Sequence, residues 1–430
     1  MDGWAALTAL LLSPQGRTAL TCGTPGQVVK LVRITLRWTQ QDLADRSGWS
    51  QSTISRIEDD KTRGARDLDV LADLARTLGI PCSALYQAGG GDRGRTLEGM
   101  DRRDVLGRTL ALAVAALLPQ GVAAAGRIDA AQVGQCWTAL HRLFELDDQY
   151  GGTEVYQMAA EMARRLQEAL QRGSYQSEVG RELQAVTAAT TEHAAWLAYD
   201  AGWAQQARQW WLETCHLADL SGIPDSRVTA LASMAQQAGD DPQRGSETVD
   251  LAQAARAAAG NQASPTLLSL LAAREAVGQA WAGDRVAATS SIAQARTWLD
   301  RGRRGDEPFW LDFWGPADLA WHETRVALAF GQGTLAVGAA RAALVANDAQ
   351  AYPRNQALYT VGLGSVLTRV GQFDEAIVIT SEAVQRMDAM RGCGRAVTKL
   401  HSTIDLLGRQ NYPPATSFAA AARPLLPTSA

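Results

Sequence analysis

Thr39 to Glu58, TQQDLADRSGWSQSTISRIE, is the stretch that decides how the chain begins. Thr39 precedes QQDLADRS, where its hydroxyl can accept from the free N–H groups of a first helical turn. Gly48 ends that helix in a tight turn, and Ser50 caps a further helix, QSTISRIEDD. Two short helices, a three-residue turn containing glycine, and an apolar frame of Leu43, Ala44, Trp49, Ile54 and Ile57 make a helix-turn-helix pattern. Upstream, QVVKLVRITLR (27–37) places Val28, Leu31, Val32, Thr35 and Leu36 on one helical stripe. Downstream, Leu68 to Leu78 reads as a fourth helix, and Pro81 starts a short fifth one with Leu85 and Tyr86. Residues 25–86 thus predict a five-helix bundle whose third helix is free to enter a groove.

From Gly26 to Tyr86 the sequence resembles the phage-repressor-like, Xre-type helix-turn-helix domains, with small, apolar and capping positions matching together. The resemblance implies binding to double-stranded DNA and assigns roles one residue at a time. Gln40 would grip a phosphate and brace the recognition helix. Gln51, Ser52 and Arg56 would face base edges, where Gln suits adenine N6/N7 and Arg suits guanine O6/N7. Thr53 would contact the backbone or a thymine methyl, and Lys61, Arg63 and Arg66 would touch phosphates without reading sequence. Arg33 and Glu58 would form an internal ion pair joining the first and third helices. Asp59-Asp60 depart from the Asn-Gly usual after the Glu, and two carboxylates near the phosphate path repel DNA. Residues 25–86 hold nine basic and eight acidic side chains, a net of +1. So small a charge implies dimer-dependent, salt-sensitive binding rather than a strong non-specific grip.

Beyond this domain the composition changes. QAGGGDRGRTLEGMDRR (87–103) is Gly-rich and charged, which reads as a linker. Gly89, Gly91 and Gly94 satisfy GxGxxG, but without a preceding strand they do not make a nucleotide loop. Arg102-Arg103 before Leu110 resembles an export signal but lies a hundred residues inside the chain. Residues 104–410 are Ala/Leu/Arg/Gln-rich with helical periodicity. Within them Gly364, Gly371, Ala376 and Ala383 stand at offsets of 7, 5 and 7. The same offsets return Ala276, Gly283, Ala288 and Ala295, then Thr324, Gly331, Ala336 and Ala343, and more loosely Ala195, Gly202, Ala207 and Thr214. Small residues at these points let two antiparallel helices approach closely. The segments resemble tetratricopeptide (TPR) repeats, degenerate because the turn glycines at 152, 202, 239, 283, 331 and 371 are spaced wider than the usual period. The expected fold is therefore all-α: a helix-turn-helix domain followed by a TPR-like α-solenoid. Residues 1–24 would be an N-terminal extension, with Trp4 to Leu12 a short helix or part of a misassigned start, and 411–430, with four prolines, a flexible tail.

Ten of thirteen tryptophans lie between 137 and 321. Packing between repeats is the plain explanation for each. The stretch EPFWLDFWGPADLAWH (307–322) supports a sharper one, since Phe309/Phe313 and Trp310/Trp314 would be i,i+4 pairs. On that reading Trp310, Phe313, Trp314 and Trp321 line a ligand groove, with Asn355 (and Asn347 and Gln356) placed to bond a peptide backbone.

The 430 residues, 46% hydrophobic, exceed a single core and imply two or more domains. No run of about 18 apolar residues is present, so no membrane partner is expected. Five widely spaced cysteines (Cys22, Cys82, Cys136, Cys215, Cys393) suit a reducing cytoplasm, and no metal or cofactor is called for. No HExxH, Walker loop or GxSxG is present and the five histidines are scattered, so no catalytic residues are expected. Only three of the 41 basic residues are lysines, as a GC-rich, actinobacterial genome would give. The arrangement resembles bacterial regulators, including peptide-responsive quorum-sensing ones. It implies a homodimer on a pseudo-palindromic operator, with a peptide, small molecule or protein partner as its signal. The alternative is an adaptor whose repeats bind protein and whose helix-turn-helix is weak or vestigial.

Overall fold

In a computed structural model the described residues are 24–59, 68–78, 80, 85, 118–119, 122, 126–222, 224–305, 307–387 and 393–426. Among them the chain is all-α, with eighteen helices, no strand, and one isolated bridge between Arg127 and Ser174. No described helix is long and apolar enough to cross a membrane. Contacts divide the chain into residues 1–146 with 154–186, and residues 147–153 with 187–430.

In the first unit, α1 (Pro25–Thr35), α2 (Gln40–Ser47), α3 (Gln51–Glu58) and α4 (Leu68–Leu78) reproduce the expected helices to within a few residues. Thr24 caps α1 through a reciprocal box with Gln27. Thr39 accepts from the Asp42 N–H while the Asp42 carboxylate accepts from the Thr39 N–H. Gly48 takes φ 77 at the end of α2, and Ser50 accepts from Thr53 N–H at the start of α3. Val28, Val29, Val32, Leu43, Ile54, Ile57, Leu74, Leu78 and Leu85 close one apolar core under these helices. Burial of that many aliphatic side chains, at about 1.5–3 kcal/mol each, is what holds such short helices. Lys61, Arg63, Arg66, the linker and the N-terminal extension lie outside the described residues.

Three longer helices follow: α5 (Ala130–Tyr150), α6 (Gly152–Arg172) and α7 (Ser177–Asp200). The second unit continues with α8 (Ala204–Ser221), α9 (Pro224–Gly239), α10 (Gly245–Ala259), α11 (Pro265–Trp281) and α12 (Arg285–Asp300). Then come α13 (Pro316–Ala329), α14 (Gly333–Ala346), α15 (Pro353–Arg369), α16 (Phe373–Gln385), α17 (Gly394–Gly408) and α18 (Pro413–Ala422). Each odd-numbered helix from α9 packs on the even one after it, α11 also packs on α9 and α13, and α15 on α17. Stacked helical hairpins are the result.

The spaced small residues sit where close helix approach requires them. Ala276, Ala288 and Ala295, then Thr324, Ala336 and Ala343, then Ala376 and Ala383 are buried. The glycines between them, Gly283, Gly331 and Gly371, have φ of 85, 67 and 81, as does Gly202 at 89. After each, the next N–H returns to a carbonyl five residues back: Trp203 to Ala198 at 2.8 Å, and Asp284 to Gln279, Gln332 to Ala327 and Gln372 to Leu367 at 2.9 Å. Two expected turn glycines behave otherwise. Gly151, not Gly152, takes positive φ, and Gly239 ends α9 as a carbonyl acceptor for the Trp281 indole and Arg325. The stretch expected as a flexible tail is also different. Pro413-Pro414 begin a helix rather than break one, and Ala415, Ala419 and Ala422 are buried against α15 and α17 residues such as Leu407 and Ile404.

Candidate nucleic-acid interface

The geometry of α3 begins with a buried charge. Arg33 on α1 donates from Nε and Nη2 to the two carboxylate oxygens of Glu58 at 2.5 and 2.8 Å, and from Nη1 to the Trp38 carbonyl at 2.7 Å. The bidentate pair is buried and fully directional, so it fixes α3 against α1. Gln40, at the start of α2, donates from Nε2 to Glu58 Oε2 at 2.9 Å. Gln51, at the start of α3, donates in turn to Gln40 Oε1 at 2.9 Å.

This relay has only one polarity. An ionised carboxylate can only accept, so Gln40 must turn its amide nitrogen to Glu58 and its oxygen to Gln51. Gln51 then spends one N–H on Gln40 and keeps the other N–H and its carbonyl oxygen. Gln51, Ser52 and Arg56 are exposed on α3, while Thr53 is half-buried. Ser50 Oγ lies 2.9 Å from Ser52 Oγ and 2.8 Å from Thr53 Oγ1, so both hydroxyls are held at the helix start. Arg56 is exposed with no ion pair among the described residues. Asp59, also exposed, ends the helix. The arrangement therefore offers amide, hydroxyl and guanidinium groups from one short helix, braced from behind.

The candidate ligand residues are brought together only in part. Phe309 to Leu311 form a single 3-10 turn and α13 starts at Pro316, so Phe309 to Trp314 is not an α-helical face and the i,i+4 pairs do not exist. Pro308, Gly315 and Pro316 interrupt the helix there. Trp314 is 3% exposed, donates its indole N–H to Ser269 Oγ at 3.0 Å, and packs edge-on against His322 and Phe313. It is a core residue. Trp310 is half-buried, with its indole nitrogen enclosed and unbonded among the described residues. Trp321 lies against Tyr359 and under the Lys399 ammonium, 4.4 Å from the ring centre. Asn355 is half-buried at the start of α15, whereas Asn347 bonds the Tyr352 carbonyl and Gln356.

The sequence reading missed a cluster of charges in the second unit. Arg354 donates to Asp147 at 2.7 Å and to Asp200 at 3.1 Å, and Arg395 to Asp200 at 2.8 Å while lying 4.2 Å over the Tyr199 ring. Burial works against the charged form of Asp200, but the two guanidiniums win and hold its carboxyl below the usual range. These partners are up to 207 residues apart.

Residues 29–85 match a family model described as helix-turn-helix, and this part of the chain is an Xre-like domain of the kind found in DNA-binding regulators. No curated protein matches the chain.

Proposed function

We propose that the chain is a sequence-specific, DNA-binding transcription regulator that works in the cytoplasm as a homodimer. The observation that carries this reading is the Arg33–Glu58–Gln40–Gln51 relay. It leaves Gln51 with one N–H and one carbonyl oxygen, the pair that adenine N7 and N6 require. Arg56 presents a free fork suited to guanine, Ser52 a hydroxyl suited to either base, and Thr53 a backbone contact. Lys61, Arg63 and Arg66 follow in sequence as the phosphate contacts, and Gln40 braces the helix that reads. The stacked hairpins supply the TPR-like part, which would dimerise and respond to a signal by changing the spacing of two recognition helices. No chemistry beyond binding is needed.

Selection of the full chain on random duplex DNA at about 150 mM salt, where non-specific contacts are weak, tests this directly. An enriched inverted repeat with half-sites one or more helical turns apart is the expected result. No enrichment, with or without cell extract, would favour the second reading, a protein-binding adaptor. The net charge of +1 over residues 25–86 and the exposed Asp59 are what speak for that second reading.

A further inference from the structure

The helix α14, GTLAVGAARAALVA, is apolar on both of its sides. One side is accounted for: Ala336, Val337, Ala340 and Ala343 are buried against α13, α15 and α16. The other is not. Leu335 and Val345 are 62% and 86% exposed, and Gly338 and Ala342 lie exposed between them. These four residues stand 3, 4 and 3 positions apart, the spacing of a helix–helix seam. A helix apolar all round is ordinarily buried all round.

Gly338 adds a separate observation. Glycine inside a helix costs stability, and close approach of another backbone is what commonly offsets it. Gly245 and Gly278 have that neighbour, since a Cβ on either would strike the backbone of the other's helix. A Cβ on Gly338 would meet nothing within 4 Å among the described residues. The fold of one chain thus gives this glycine no close neighbour.

Two features fit the face to its own copy rather than to an unlike partner. The first is the order of sizes. Leu335 and Val345, and likewise Gly338 and Ala342, are placed symmetrically about Ala340. In an antiparallel pair each Leu335 then meets the second copy's Val345, and each Gly338 the second copy's Ala342. A two-fold contact demands this reciprocity. The second feature is charge. Around a two-fold axis a residue also nears its own copy, so a self-contact has to be almost free of charge. Asp219 on α8, Asp250 on α10, Arg296 on α12 and Glu382 on α16 are all exposed. The only charge on α14 is Arg341, and its guanidinium is drawn aside to Glu375 of α16 at 2.7 Å.

We propose that α14 is a self-association surface, pairing antiparallel with α14 of a second copy about a two-fold axis level with Ala340. Small residues at the centre let the two helix axes approach to about 8 Å, while Leu335 and Val345 close the ends. A fourteen-residue helix is only about 21 Å long, so the contact is small and reversible. The inference rests on the homodimer part of the proposed function and names the surface that serves it.

Sedimentation of the full chain from about 1 to 100 µM should show a monomer–dimer equilibrium. Val345→Glu sets a carboxylate against the second copy's Leu335, and Leu335→Lys sets an ammonium against the second copy's Val345. Each should raise the dissociation constant about tenfold or more. Mixed in equal amounts, the two variants should recover much of the parent's association. The introduced charges then face each other on one side of the axis, and the other side is unaltered. Val345→Glu mixed with Val345→Lys should not recover it, because those positions lie about 15 Å apart along the antiparallel pair. Leu212→Glu, at an exposed position of α8, should leave the equilibrium unchanged. Helix content and melting of the diluted variants should match the parent, since both α14 positions are exposed. A dimer that either α14 variant leaves intact, or that Leu212→Glu weakens as much, overturns the proposal and leaves a homodimer on another face. A mixture of Val345→Glu with Leu335→Lys that recovers no better than the same-position mixture overturns it as well. A chain that stays monomeric across that range overturns the homodimer along with it, and DNA selection is scored separately.

Discussion

On the proposed reading, Gln51 reads DNA only as well as Gln40 lets it. The two amides are coupled through a 2.9 Å bond, and Gln40 is in turn held by a carboxylate that is itself clamped by Arg33. Gln51→Ala should cost about 1–3 kcal/mol at one base position and leave the others untouched. Gln40→Ala removes no base contact, yet it frees the Gln51 side chain to rotate, so discrimination at that same position should fall by a smaller amount. Competition binding against all four bases at each position separates the two. A uniform loss for either variant would mean the relay has no part in readout. A different residue carries the pH dependence. Burial, together with Arg325 and Arg274, pushes the His322 imidazole down to about 3, while the unfolded chain takes up its proton near the ordinary value of 6.5. Stability from this site is therefore lost as pH falls below 6.5, at up to about 1.4 kcal/mol per unit. Asp318 and Glu192, raised to about 7, act with the opposite sign, losing stability as pH rises from the usual carboxylate range toward 7. Comparing His322→Gln with the parent removes their contribution. Between pH 6.5 and 5 the parent should lose roughly 2 kcal/mol relative to the variant in urea unfolding. A constant difference would show that the imidazole titrates normally.

At the scale of helices, glycine does two jobs that the sequence states with unequal clarity. Turn glycines are legible because they stand at fixed offsets from small residues, and Gly283, Gly331 and Gly371 all take positive φ. Packing glycines are not, because their partners lie on another helix. A Cβ on Gly278 of α11 would lie 2.7 Å from the Gly245 carbonyl oxygen, and one on Gly245 of α10 would lie 2.8 Å from the Gly278 carbonyl oxygen. Each glycine faces backbone, which cannot swing away. Gly278→Ala should therefore force α10 and α11 apart and cost about 1–3 kcal/mol, whereas adding the same methyl at a helix interior with open space would help. Hydrogen exchange over 245–281 should rise in the variant; unchanged protection would show that the helices part at no cost. The same distinction explains what was readable. Caps and turns are local, so the helix-turn-helix appeared residue by residue in Thr39, Gly48 and Ser50. Pro413-Pro414 were misread because proline stops a helix and also starts one, and only the burial of Ala415 and Ala419 decides which. The charge cluster was invisible because Asp147, Asp200, Arg354 and Arg395 share no period and meet only after the hairpins stack.

For the whole molecule, charge decides how it would find its site. The chain carries a formal charge of −4 and the DNA-binding domain only +1, so attraction to DNA cannot come from a broad basic surface. On the proposed dimeric reading it comes from a few placed cations, doubled by two-fold symmetry. If Lys61, Arg63 and Arg66 each touch one phosphate in both protomers, six contacts give a slope near −5 for log K against log salt, at about −0.9 per phosphate. Arg63→Ala in both protomers should reduce that slope by about 2 and weaken specific and non-specific DNA alike. Gln51→Ala should lower affinity for the operator at every salt concentration and leave the slope where it was, because a base contact releases no counterion. Titrations of one operator at four salt concentrations, for the parent and both variants, give the three slopes. A slope that Arg63→Ala does not change would remove the phosphate role from that residue. A parent slope near −3, about −0.9 for each of three contacts, would mean that a single domain grips the duplex, and with it the two-fold operator would have to be abandoned.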